Sequence, residues 1–96
     1  MVQKRSRLEL IYDILDVIRS KGKGGVIKPT PLLRFANLST QRFEKYVKEL
    51  EEKQFIEHLT ETKKKKTKKF IKITDQGLNY LEKYQAIKDF IDDFDL

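Results

Sequence analysis

Residues 55–73 read FIEHLTETKKKKTKKFIKI, and the reading of this stretch decides the fold. Six lysines crowd into residues 61–69, between two short runs rich in apolar residues, 55–59 and 70–73. Short runs carrying isoleucine and phenylalanine predict two strands, and the charged interval between them predicts their connecting loop. The product is a hairpin with a cationic tip. Directly upstream, segments 31–36 and 40–53 carry helical patterns and are separated only by Asn37, Leu38 and Ser39. Helix, tight turn, helix and basic hairpin together predict a mainly α chain with a small β-hairpin, an α+β fold.

Outward from there, residues 5–20 form the first predicted helix. Leu8, Ile11, Ile14, Leu15 and Ile18 recur at three- and four-residue spacing, and Ser6 with Glu9 has capping-box spacing. Gly22, Gly24 and Gly25 break this helix, and Val26, Ile27 and Lys28 predict a short strand that pairs with the hairpin and stops at Pro29. The glycines follow a helix and precede a strand without GxxxxGK[ST] spacing, so they do not form a phosphate loop. Thr30 before Pro31 predicts an N-cap and first turn for the second helix. Its Leu32, Leu33, Phe35 and Ala36 call for cover from the first and third helices. Leu38 is placed to plug the interhelical angle, and Ser39 to cap the third helix.

In that third helix Phe43, Tyr46 or Val47, and Leu50 fall on one face, which turns Gln41, Arg42, Lys45, Lys48, Glu49 and Glu52 toward solvent. The exposed N-terminal half is basic and polar; the C-terminal half is acidic. This is the gradient of a recognition helix in a winged helix-turn-helix, where the first residues meet base edges in the major groove. Thr40, Gln41 and Arg42 are the candidate base readers, because glutamine pairs bidentately with adenine and arginine with guanine, and Ser39 at the cap is counted with them as DNA-binding. Lys45 and Lys48 suit phosphates, as do the wing lysines Lys63, Lys64, Lys65, Lys66, Lys68 and Lys69. A lysine is a point charge without a planar fork, so the wing should add affinity more than sequence preference. Engagement of four of the six would lower log K with log salt by a slope of roughly 3.6. The competing reading is a solvated helix face held by Glu44–Lys48 and Glu49–Lys53 pairs.

Thr74 and Asp75 open the last helix, predicted to run to Asp93. Tyr80, Tyr84, Ile87, Ile91 and Phe94 are spaced as a heptad-like seam, with Leu78, Leu81 and Phe90 beside it. Leu78 and Leu81 are expected in the chain's own core. Tyr80, Tyr84, Ile87, Phe90, Ile91 and Phe94 are expected to form a homodimer interface, unless the helix folds back in cis. The organisation is therefore residues 1–76 as the winged body and 77–96 as a dimerisation helix, one domain overall. An antiparallel pair of helices roughly 30 Å long could hold two recognition helices about one DNA turn apart.

Composition narrows the function classes. At 96 residues the chain supports one modest core; it has no cysteine and one histidine, His58, which rules out thiolate metal sites and histidine ligand sets. Residues 1–74 carry 19 Lys/Arg against 9 Asp/Glu, a balance of +10, whereas residues 75–96 carry 2 against 6, a balance of −4. Such clustering points to a polyanion partner. Lys/Glu richness alone also occurs in heat-adapted proteins, but that does not explain the clustering. No apolar run reaches the roughly 20 residues that span a bilayer, and no apolar block follows the basic N-terminus, so a soluble, cytoplasmic chain without a membrane or signal segment is expected. No catalytic constellation is present, and neither an enzyme nor a cofactor is expected. His58 reads as a strand residue.

The chain resembles the small archaeal winged helix-turn-helix DNA-binding proteins that dimerise through a C-terminal coiled coil. The residues that carry the resemblance are Lys4-Arg5-Ser6-Arg7-Leu8-Glu9-Leu10-Ile11, the turn Ala36-Asn37-Leu38-Ser39, Tyr46 with Leu50, and Ile73-Thr74-Asp75-Gln76-Gly77. It implies an antiparallel coiled-coil homodimer, a third helix in the major groove of double-stranded DNA, and a role as transcription regulator or abundant chromatin component. The chain departs from that pattern in a more lysine-rich wing and a shorter last helix. A winged-helix protein-interaction module is the alternative from a different class.

Overall fold

A computed structural model describes residues 6–96. The elements in chain order are α1 (Arg7–Lys21), β1 (Val26–Ile27), α2 (Pro29–Ala36), α3 (Thr40–Glu52), β2 (Ile56–Lys63), β3 (Lys66–Ile73) and α4 (Asp75–Asp93). The three strands form one antiparallel sheet in the order β1-β3-β2. Ser6 caps α1 by accepting from the Glu9 N–H (3.2 Å); Lys4 and Arg5 lie outside the described residues.

The core sits where α1, α2 and α3 meet one face of the sheet. Ile14, Leu15 and Ile18 of α1, Leu32 of α2 and Leu50 of α3 are fully buried, and Ile56 and Ile71 close the layer from the strands. Each of these positions follows the spacing read from sequence, because one helical face and alternate strand residues must leave water together.

Several boundaries differ from expectation. α2 begins at Pro29 rather than after Thr30, with Lys28 at the N-cap and no side-chain cap bond. Either proline satisfies the first-turn geometry, and the earlier one gives an eight-residue helix. α3 ends at Glu52, with Lys53 as its C-cap, rather than at Lys53. Phe35 was expected under cover and is 51 % exposed, its ring capped by the Lys21 ammonium at 5.5 Å. Leu81 is buried as expected, but Leu78 is exposed.

The largest difference is in the hairpin. The strands run without interruption through residues expected in a loop, pairing Thr60 with Lys69, Glu61 with Lys68, Thr62 with Thr67 and Lys63 with Lys66. Only Lys64 and Lys65 remain as the turn, both left-handed at φ 47° and 68°, the backbone of a two-residue type I′ connection.

Candidate nucleic-acid interface

Asn37, left-handed at φ 56°, ends α2, and Ser39 starts α3 by accepting from the Arg42 N–H at 3.3 Å. Leu38 packs against the core between the two helices. With this turn fixed, the helical period sets what α3 offers. Phe43, Val47 and Leu50 are buried and Tyr46 half-buried, so Gln41, Lys45, Lys48 and Glu52 form the outermost strip.

The strip has two unlike flanks. Toward the sheet, Thr40, Glu44, Lys48 and Glu51 line a groove of about 440 Å³ floored by Leu33, Phe43, Val47 and Ile71, with His58 at its rim. The His58 Nδ1 pairs with Glu51 there. Toward α1, Arg42, Lys45, Tyr46 and Glu49 meet Arg7 around a notch of about 220 Å³. Arg7 is ion-paired with Glu49. Glu49, read from sequence as a solvent-facing residue, is therefore half-buried under a guanidinium.

Strand register divides the wing lysines between two faces. Alternate residues share a face, so Thr60, Thr62, Thr67 and Lys69 continue the face that holds Ile56, His58, Ile71 and Ile73. Lys63, Lys66, Lys68 and Lys72 stand on the opposite face with Glu57, Leu59, Glu61 and Phe70. Lys63, Lys64, Lys66 and Lys68 surround Glu61 at a hollow on that side, and the Lys63 ammonium lies 3.2 Å from the Glu61 carboxylate. Of the lysines in residues 61–69, Lys69 alone shares the face of Ile56 and Ile71; Lys64 and Lys65 form the turn and belong to neither strand face, although Lys64 also borders the hollow on the opposite side.

The winged helix-turn-helix family profile matches residues 4–92. The chain belongs to this family. Among solved structures, this winged helix is similar to Sso10a-2, a DNA-binding protein from Sulfolobus solfataricus, with a TM-score of 0.71 at 17 % identity, covering 94 % of this chain and 85 % of that one. No curated protein matches the sequence.

The winged helix carries one further exposed feature. The first half of α4 is fixed to the body: Gln76 Nε2 donates to the Lys53 carbonyl (3.1 Å), Tyr80 donates its hydroxyl to the Leu8 carbonyl (2.8 Å), and the Tyr12 and Tyr84 rings meet in a tilted contact at 4.7 Å. Burial, with the neighbouring Tyr84 second, raises the Tyr80 phenol above its ordinary pKa. Tyr80 and Tyr84, read from sequence as seam residues, thus contact their own chain. Beyond them Ile87 (60 %), Phe90 (56 %), Ile91 (40 %) and Phe94 (64 %) stand exposed. Among the described residues no helix is long and apolar enough to cross a membrane.

The sequence pattern located α3 and the wing, but Arg7 was not read as part of the site. Nothing local signals it, because its partner Glu49 lies 42 positions away along the chain.

Proposed function

We propose that this chain binds double-stranded DNA as a homodimer, as a transcriptional regulator and not an enzyme, with α3 in the major groove and the wing on phosphates. The observation that supports this reading best is the outermost strip of α3, where Gln41, Lys45 and Lys48 stand in line beside a lysine-tipped hairpin. Gln41, at the centre of the strip in the first turn, is the base-reading residue. Thr40 and Arg42 stand at its two edges, and Ser39 serves as the cap of α3.

The register lowers the phosphate count on the wing. Lys64, Lys65 and Lys69 can meet the duplex that α3 enters, which gives a wing contribution to the salt slope of roughly 2.7 rather than 3.6. The exposed Ile87, Phe90, Ile91 and Phe94 supply the dimer contact, since four large apolar side chains on a solvent-facing helix half favour a partner surface. The binding partner puts the protein in the cytoplasm, against the nucleoid.

A second reading, an architectural chromatin protein with little base preference, is favoured by the wing, where the clustered cations of residues 61–69 are all lysine and none is arginine. Titration of labelled duplexes, one random pool and one from the protein's own upstream region, at several salt concentrations separates the two. Preference for upstream DNA that survives added salt supports the regulator. Equal binding with a steep slope supports the architectural role. Absence of binding at low salt overturns both and leaves a protein-interaction module. For the dimer, Ile87→Glu with Ile91→Glu should give a folded monomer by light scattering at micromolar concentration; a wild-type monomer under those conditions refutes the seam.

A further inference from the structure

The geometry points to a DNA-phosphate site in the notch between α1 and α3, formed by Arg7, Arg42 and Lys45. It rests on the reading of α3 as the groove helix, and it adds to Lys45 of that helix the Arg7 guanidinium of α1, which neither the helix-turn-helix nor the wing supplies. A helix about 10–12 Å across nearly fills a major groove about 12 Å wide, so each of its flanks faces a sugar-phosphate wall. On the wing flank of α3 the charged side chains are Glu44, Lys48 and Glu51, a net carboxylate excess before His58 is counted. The α1 flank carries Arg7, Arg42 and Lys45 against the single carboxylate of Glu49. The cation that must meet a phosphate wall is therefore concentrated on the flank away from the wing.

The residue types fit a phosphodiester. Two guanidinium groups present planar forks that match phosphate oxygens bidentately, and one ammonium adds a mobile point charge. Glu49 holds Arg7 over the notch while the site is empty, which positions the guanidinium in advance. A phosphate arriving there shares or takes over the Arg7 fork. The pair is open to solvent on the Arg7 side, 57 % exposed, so it adds little to the stability of the fold and can be exchanged. The wing and the notch then grip the two backbones on either side of α3.

The test is the salt dependence of binding to a random duplex by the full chain, comparing wild type with Arg7→Ala, Arg7→Lys, Arg42→Ala and Gln41→Ala. Arg7→Ala and Arg42→Ala should each reduce the slope of log K against log salt by roughly 0.9, and Arg7→Lys should restore it. Gln41→Ala, which removes no charge, should leave the slope unchanged. Melting temperatures of all four variants should stay near that of wild type, since each side chain is exposed. Slopes for Arg7→Ala and Arg42→Ala equal to wild type would overturn the phosphate site while leaving DNA binding intact. A fall in melting temperature for Arg7→Ala with an unchanged slope would assign Arg7 a structural role only. A wild type that binds no duplex would remove the proposed function together with the site.

Discussion

Two turns in this molecule share one backbone and differ in sequence. At the base of the sheet Gly24 and Gly25 connect Lys23 to Val26 with φ of 61° and 77°. At the tip of the wing Lys64 and Lys65 connect β2 to β3 with φ of 47° and 68°. The left-handed region is open to glycine without penalty, whereas a residue with a Cβ gives up roughly 1–2 kcal/mol there. The first turn thus follows the requirement of the backbone. The second goes against it and places two charges at the outermost point of the hairpin, which is where a phosphate contact would be made.

Substitution can break that contrast. Replacing Lys64→Asn together with Lys65→Gly should reduce the salt slope of DNA binding by roughly 1.8, the largest expected effect. The same variant should be more stable by about 1–2 kcal/mol in urea unfolding, so affinity and stability move in opposite directions. A variant that lost stability would show that the lysine side chains support the turn. Gly25→Ala should destabilise by roughly 1–2 kcal/mol, because its Cβ would also lie 3.0 Å from the Ile73 Cγ2. Gly24→Ala meets no atom within 4 Å, so only the backbone term remains, at about 1 kcal/mol, and the difference between the two alanines measures the packing against Ile73. The smallest effect is one of pH, where Tyr80 of α4 packs against α1 and Phe55. Burial, then the neighbouring Tyr84, raises the Tyr80 phenol, which donates to the Leu8 carbonyl, so the folded state favours the protonated form. Its contribution is complete below the ordinary tyrosine pKa and is lost as pH rises through the higher folded value. Tyr80→Phe should remove this alkaline loss from a stability titration.

Those same turns explain what could be read from sequence. Gly24 and Gly25 signal a break in any context, and Ile14, Leu15 and Ile18 mark a helix face because they share one core. The outer wing has no core to face. From Thr60 to Lys63 and from Lys66 to Lys69 every residue is exposed, so the alternation that betrays a strand is absent, and Lys64-Lys65 lacks the glycine or asparagine that marks a hairpin turn. A long ladder therefore read as a loop. The outermost strip of α3 was legible because its opposite face is buried at Phe43, Val47 and Leu50. The notch was not, because Arg7 reaches it through the packing of α1 against the body.

The sheet order leaves the wing with open sides. β1 pairs with β3 only at Lys72 and Ile71, and β2 is an outer strand throughout, so long stretches of backbone N–H and C=O groups lie along both borders of the hairpin. Such borders are templates for strand addition by another molecule, and like charges along them oppose it. The six lysines therefore also keep one wing from joining the next. Neutralising them would remove this repulsion and leave both borders open to strand addition.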